Sequence, residues 1–199
     1  MTTRQKLLKA FYPLLMAVNK LISPGKWIQF NKKNAKPIIP FYTLSAETIT
    51  GSIIDFKELK GKKIVIVNTA SDCGFTGQYA QLESLYKQYR NSLVVIAFPS
   101  NDFQNQETAD DSAIGEFCRI NYGISFTVIK KSRVVKGAGQ HPVFAWLGDA
   151  AQNGWNNQQP IWNFSKYLVN EEGILTHYFA PGISPLNKDV IEAVSKNAG

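Results

Sequence analysis

Two sulfur atoms carry most of the chemistry that this sequence could do. Its 199 residues include two cysteines, Cys73 and Cys118, and two histidines, His141 and His177. A cysteine attacks as its thiolate, so a reactive one needs neighbours that hold negative charge. In Cys–His hydrolases a histidine serves. His141 precedes Pro142 at an expected helix start and His177 falls within an expected strand. No local signature ties either to Cys73, and structural or surface roles suit both. What remains are neutral donors in loops: the amides of Gln106 and Asn163 and the indole of Trp162. A cluster of that kind could stabilise a thiolate, and the oxygen leaving a peroxide, with no general base. Residue type alone does not separate these three from the other Asn and Gln side chains. Two cysteines are too few for a disulfide-stapled scaffold and make no zinc set. Redox chemistry and inert core packing are the two readings left open.

The elements around Cys73 must position it. Ile64-Val-Ile-Val67 is an unbroken apolar run, which fits a strand buried on both faces. A polar loop, Asn68 to Asp72, follows. Gln78 to Arg90 then sets Tyr79, Leu82, Tyr86 and Tyr89 at helical spacing. Cys73 is thus expected at the carboxyl end of a central strand, just before a helix, where open α/β sheets place their ligands. The helix N-terminus is expected to favour its thiolate.

Leu93 to Phe98 predicts a second buried strand, followed by the polar loop Ser100 to Glu107. Asp111 to Tyr122 predicts a helix with Ile114, Phe117 and Cys118 on its apolar face and Gly123 as its stop. Phe41 to Ile54 reads as a hairpin around Thr50-Gly51, with a helical turn over Asp55 to Leu59. Thr127 to Val135 predicts one or two short strands, Pro142 to Leu147 a short helix, and Ala150 to Pro160 a loop. Lys166 to Val169 and Ile174 to Phe179 flank Glu171-Glu172-Gly173 as an antiparallel hairpin. A last helix is expected with Ser184 as cap and Pro185 as first residue. The order β-α-β-α, then β-β-α, predicts an α/β, thioredoxin-like fold: a central mixed sheet flanked by helices. Cys73-Gly-Phe-Thr76 lacks the second thiol of a Cys-x-x-Cys motif, which disfavours a simple dithiol oxidoreductase.

The formal charge of +7 is unevenly placed. Residues 1–46 hold eight basic side chains and no acid, leaving 14 basic and 15 acidic residues in the remainder. The body is near neutral, so nucleic acid is not an expected partner. Over Leu7 to Ile22, Lys6, Lys9, Pro13 and Lys20 fall on one helical stripe. The opposite face holds Leu7, Leu8, Phe11, Leu14, Leu15, Val18, Leu21 and Ile22. That pattern suits a basic amphipathic helix on an anionic membrane surface, giving peripheral contact through residues 4–22. The stretch is shorter than the ~20 residues that span a bilayer. A signal peptide is the rival, but Lys9 and Pro13 interrupt the apolar region and no cleavage site is evident; packing onto the domain is a third reading. More lysines follow the stretch than precede it, which favours a cytoplasmic body over secretion or a periplasmic location. Residues 23–40 read as a linker, so the chain divides into a tail and linker, 1–40, and one domain, 41–199.

Three segments add a more specific reading. Asn68-Thr-Ala-Ser-Asp-Cys-Gly-Phe-Thr76, Phe98-Pro-Ser-Asn-Asp-Phe-Gln-Asn-Gln-Glu107 and Trp162-Asn-Phe-Ser-Lys-Tyr-Leu168 resemble the three signature segments of the glutathione peroxidase family, in family order and spacing. The resemblance runs from about Phe41 to the C-terminus. It implies a thiol peroxidase, needing no cofactor, that reduces hydrogen peroxide and organic or lipid hydroperoxides in the response to oxidative stress. Cys73 would be the peroxidatic cysteine, standing where some members carry selenocysteine, with Gln106, Trp162 and Asn163 completing a tetrad. The sulfur would become a sulfenic acid and then a disulfide.

Cys118 stands where some fungal and bacterial members carry a resolving cysteine, although its place on an apolar helix face also fits core packing. Resolution would require that helix to fray, because the sulfurs must meet at the ~2 Å of a disulfide. Asp102, Ser100 and Thr108 depart from the family pattern. The short segment between Leu147 and Trp162 resembles that of monomeric members. The reductant would be thioredoxin or glutathione. The chain has only Arg4, Arg90, Arg119 and Arg133, without an evident cradle for glutathione carboxylates, so a thioredoxin-type donor is favoured. A peroxide-sensing relay that passes oxidation to a protein partner is the alternative role, and the tail suggests a membrane-bound lipid hydroperoxide reductase. A non-catalytic binding module is disfavoured because all four tetrad positions are filled.

Overall fold

The apolar run at Ile64 forms the middle of a six-stranded sheet. The computed structural model describes residues 27–196, and the amphipathic segment expected before Ile22 lies outside them. The strands are β1 (Ile28–Phe30), β4 (Lys63–Thr69), β5 (Leu93–Pro99), β6 (Thr127–Val128), β7 (Lys166–Val169) and β8 (Leu175–Phe179). Their order is β1-β8-β7-β4-β5-β6. β4 runs parallel to β5 and antiparallel to β7, and every residue of β4 is buried. An unbroken apolar strand needs cover on both faces, and both are covered.

On one face Ile64 and Ile66 meet Phe41, Phe56, Phe144, Trp146 and Tyr167. On the other, Val65 and Val67 meet α1 (Gln78–Tyr89), α2 (Asp111–Tyr122) and α5 (Lys188–Ser195) through Tyr79, Leu82, Ile114, Val190 and Val194. That second cluster also contains Cys73 and Cys118. The strand β2 (Ser45–Glu47) pairs with β3 (Ile53–Asp55) in the predicted hairpin, and Phe56–Leu59 makes the expected helical turn. The Asp110 carboxylate accepts the Ala113 N–H at 2.9 Å to start α2, and Gly123, at φ 59°, ends it.

Three expectations need correction. The stretch read as a linker contains β1, which pairs antiparallel with β8; the open edge of β8 takes up its backbone and Ile28 packs on the α1–α5 layer. Residues 150–160 are not all loop. Ala150–Asn153 form α4, after α3 (Pro142–Leu147), and the buried Asn153 and Asn156 amides bind main-chain carbonyls in place of a sheet ladder. The last helix starts at Lys188, capped by Asn187, whose side chain accepts the Asp189 N–H at 2.9 Å. Ser184 instead donates to Gln81 at 3.0 Å and accepts the Leu186 N–H at 3.1 Å, making a turn. Between Thr127 and Val135 the first two residues form one short strand, as expected.

Candidate active site

Cys73 lies in the loop after β4 and is 1% exposed. Its sulfur accepts the Phe75 N–H at 3.5 Å. The helix α1 begins five residues later, at Gln78, so the expected help from a helix N-terminus is not what surrounds the sulfur. Burial pushes the Cys73 thiol up to about 11. The Phe75 N–H and hydrogen bonds from Trp162 and Asn163 pull it down, and Asp72 adds a push up. Burial thus opposes the ionised state expected from the sequence, and the three donors on the sulfur favour it.

The other proposed residues come together here. Asn163 Nδ2 donates to Gln106 Oε1 at 3.0 Å, with both side chains buried. Gln106 also ties its loop to the cysteine loop, its carbonyl accepting the Asp72 N–H at 3.0 Å. The Gln106 Nε2 donor is buried and has no hydrogen-bond partner among the described residues. Cys73, Gln106, Trp162 and Asn163 thus come from three separated segments and form one cluster. Phe103 flanks it, its ring centroid 5.6 Å from that of Trp162.

Several residues that the sequence reading passed over build this geometry. Asn68, near the end of β4, donates to the Trp162 carbonyl at 3.1 Å and accepts the Ser165 N–H at 3.1 Å. Its own carbonyl accepts the Phe164 N–H at 2.6 Å. These bonds hold Phe164 at φ 67°, in the left-handed region that a bulky side chain rarely enters. The Phe164 ring is buried edge-on to Tyr79 at 5.2 Å. The signal for Asn68 was present: an amide continuing a buried apolar run must find partners inside the protein.

Glu107 is also buried. Its Oε2 accepts from the Ser71 N–H at 2.8 Å and the Ser71 hydroxyl at 2.9 Å. Burial pushes this carboxyl up to about 7, while Ser71 and Lys131 pull it down. Two departures from the family pattern act as a pair. Asp102 Oδ2 accepts from the Ser100 hydroxyl at 3.0 Å and from the N–H groups of Val134 and Val135 at 2.6 and 3.1 Å. They pin the Gln106 loop to the segment after β6. Lys166, wholly buried, donates to Gln78 Oε1 at 2.9 Å and the Phe164 carbonyl at 2.7 Å, joining α1 to the Trp162 loop.

Cys118 faces inward on α2, 2% exposed, and is a free thiol like Cys73. Burial pushes it up to about 11, with a hydrogen bond from Tyr79 pulling down. A cleft of about 570 Å³ opens onto Cys73, lined by residues 73–78 with Gln81, Tyr122, Gly182 and Ser184. None of these carries a charge. Among the described residues no group of three His, Cys, Asp or Glu side chains could hold a metal ion.

The glutathione peroxidase family model matches residues 41–148. The chain is 44% identical over 146 residues to the glutathione peroxidase-like peroxiredoxin GPX5 of Chlamydomonas reinhardtii, covering 73% of this chain and 89% of that one. It is 38% identical over 146 residues to a glutathione peroxidase of Lactococcus lactis, covering 73% and 92%. The crystal structure of Trgpx in its apo form is similar at a TM-score of 0.61 and 28% identity, covering 80% of this chain and 98% of that one. A thioredoxin family thiol:disulfide interchange protein from Chlorobium tepidum, 13% identical, shares the fold at a TM-score of 0.58, covering 80% and 96%.

Proposed function

The chain belongs to the glutathione peroxidase family and is a thiol peroxidase, and we propose that Cys73 is its peroxidatic cysteine, with Gln106, Trp162 and Asn163 as the donors that serve it. The observation that carries this assignment is the convergence of three sequence-distant segments on one sulfur, closed by the buried Asn163–Gln106 hydrogen bond. The Cys73 sulfur attacks the nearer oxygen of a hydroperoxide, the O–O bond breaks, and the thiol proton leaves with the second oxygen as water or alcohol. Cys73 becomes a sulfenic acid. The Gln106 Nε2 donor, buried and with no partner among the described residues, supports a role in stabilising the departing oxygen. The substrates are hydrogen peroxide and organic or lipid hydroperoxides.

Cys118 resolves the sulfenic acid: its thiol displaces water and a Cys73–Cys118 disulfide forms. Both sulfurs lie in one apolar cluster, which supports the pairing, and α2 must open for them to meet. An external dithiol of the thioredoxin type then returns both to thiols. The uncharged lining of the Cys73 cleft favours that donor over glutathione, whose carboxylates would need cationic partners. A peroxide-sensing relay would use the same first step and differ in the thiol that follows.

The protein acts as a monomer on the cytoplasmic side, with residues 4–22 in peripheral contact with the membrane. Among the described residues no helix is long and apolar enough to cross a membrane. NADPH-coupled turnover, run in parallel with thioredoxin and its reductase and with glutathione and its reductase, tests the assignment. Cys73→Ser should lose peroxide reduction by on the order of a thousandfold or more while remaining folded. Intact turnover in that variant would remove the reading.

A further inference from the structure

Among the described residues two lysines are buried, and they are held in different ways. Lys63, at the amino end of β4, pairs with the Glu171 carboxylate at 3.3 Å and donates to the Val194 carbonyl at 3.1 Å. That is the ordinary way to bury a charge. Lys166 is 1% exposed and sits opposite Val67, toward the carboxyl end of β4, where the Cys73 loop begins. Residues directly opposite in an antiparallel pair face the same side. Val67 and Phe179 both pair with Lys166, and both belong to the cluster that holds Cys73. Lys166 therefore points into the layer of the peroxidatic sulfur.

Its Nζ donates to three oxygens: the Phe164 carbonyl at 2.7 Å, Gln78 Oε1 at 2.9 Å and the Pro181 carbonyl at 3.4 Å. Gln78 is fixed in this sense by its own Nε2, which donates to the Pro181 carbonyl at 2.7 Å. An ammonium has three N–H groups and no lone pair, so three acceptors satisfy it. A neutral amine would turn its lone pair on one of them. The cage thus selects the charged form, against burial, which pushes the ammonium well down. Among the described residues no carboxylate pairs with it.

Each of the three oxygens belongs to a wall of the site. Phe164 follows Asn163, whose side chain reaches the Cys73 sulfur. Gln78 lines the Cys73 cleft, and Pro181 precedes Gly182, which lines it too. A buried cation with no counter-charge is costly. The negative charge that these walls enclose is the one that forms on Cys73 as its thiol ionises.

We propose that Lys166 is the buried counter-charge of the Cys73 thiolate, a positioning residue that supports the ionised sulfur from behind the Phe164 and Gln78 contacts. The inference rests on Cys73 as the peroxidatic cysteine and adds the cation that favours its reactive form. The attack on the hydroperoxide is otherwise unchanged.

Cys118→Ser protein, with Cys73 as its one thiol, tests this without altering Lys166. The carbon-13 signal of Lys166 Cε should stand at its ammonium position at pH 7. It should also step at the pH where Cys73 ionises, read from ultraviolet thiolate absorbance, and lose that step when Cys73→Ser is added. A neutral amine at pH 7, or a signal indifferent to Cys73, overturns the proposal. Lys166→Met in the same background removes the charge and keeps an unbranched side chain. The ionisation of Cys73 should then move up by about one pH unit, and its first oxidation at pH 7 should slow about tenfold. Lys166→Arg, which keeps the charge, should leave the ionisation near that of the parent. An unmoved ionisation in folded Lys166→Met protein, or an equal shift in Lys166→Arg, assigns the lysine to packing and overturns the proposal. Peroxide reduction that survives Cys73→Ser would instead remove the Cys73 assignment, whatever the titrations gave.

Discussion

The two cysteines are a natural comparison. Both are buried thiols in one apolar cluster, and burial pushes both up to about 11. Their neighbours differ. Cys73 sits in a loop, with donors from Phe75, Trp162 and Asn163 on its sulfur and Gln106 behind them. Cys118 sits within a helix, with Tyr79 as its hydrogen-bond partner. Their openings differ too. Cys73 meets the cleft bounded by Tyr122 and Ser184, whereas Cys118 meets a separate cavity of about 490 Å³ bounded by Ile49, Arg119 and Phe126. Depth of burial therefore does not distinguish the two sulfurs. Reactivity with peroxide is assigned to the one where fixed donors await the charge that develops as the O–O bond breaks.

The sharpest way to break that contrast is to remove a donor and leave the sulfur. Gln106→Leu deletes the unpartnered Nε2 and the acceptor of Asn163 together. The rate constant for the first oxidation of Cys73, followed by stopped flow, should fall about 10²–10³-fold, the usual cost of losing one preorganised donor. A rate within a factor of about two of the parent would mean that these donors do not set the reactivity of Cys73.

The complementary change removes the other sulfur. Cys118→Ser should leave that first oxidation unchanged and lower thioredoxin-coupled turnover by about a hundredfold, as an intramolecular step becomes bimolecular. One equivalent of peroxide should then leave sulfenic acid on Cys73, detectable by a dimedone-type probe in mass spectrometry. Unchanged turnover with thioredoxin would return Cys118 to core packing.

A third variant asks how far the contrast depends on backbone. Asn68→Ala removes the two side-chain bonds that fix the Trp162 loop and leaves the Trp162 carbonyl and Ser165 N–H without them. A loss of about 2 kcal/mol in denaturant unfolding is expected, together with a slower first oxidation. The same substitution reaches Cys118 only through the Phe164–Tyr79 contact, so alkylation of Cys118 in a Cys73→Ser background should change far less than the oxidation of Cys73. Changes of equal size in both would show that the two regions are not independent.

Asn68 also marks how much of the molecule its sequence disclosed. The buried strand at Ile64, both hairpins and the Gly123 stop of α2 follow from periodicity and from glycines at turns, because those signals are local. Strand β1 is three residues of an edge, Ile-Gln-Phe, among lysines and asparagines, and only the open side of β8 gives it a reason to extend. The start of α5 was misplaced because Ser184 satisfies a turn and a side chain of α1 in place of a helix end. At the site, Cys73 was legible from its place after the strand. Gln106, Trp162 and Asn163 came from family resemblance, since their convergence depends on contacts between segments about 30–90 residues apart in a chain whose long-range pairings the residue types do not encode. The balance at Cys73 between burial, which raises the thiol pKa, and the donors that lower it is a property of the folded surroundings and not of the residue types.

The smallest expected effect concerns Glu107, which lies on the peroxidatic side of the comparison and raises the pKa of Cys118 through its charge. Its carboxyl is pushed up to about 7 in the fold, above the ordinary 4.5. The folded state therefore binds more protons than the unfolded chain between those two values. The sign follows from linkage: where the native state holds the extra proton, stability falls as pH rises, so the contribution of Glu107 is greatest below about 4.5 and is lost through about 7. Glu107→Gln keeps an acceptor for the two Ser71 donors and cannot ionise. Between about pH 5 and 7 the unfolding free energy of the parent should decline relative to this variant by on the order of 1 kcal/mol. Parallel curves for the two proteins across that window would mean that Glu107 keeps its charge inside the fold. The negative charge beside Cys118 would then be present throughout the working pH range, and the contrast between the two sulfurs would have to include it.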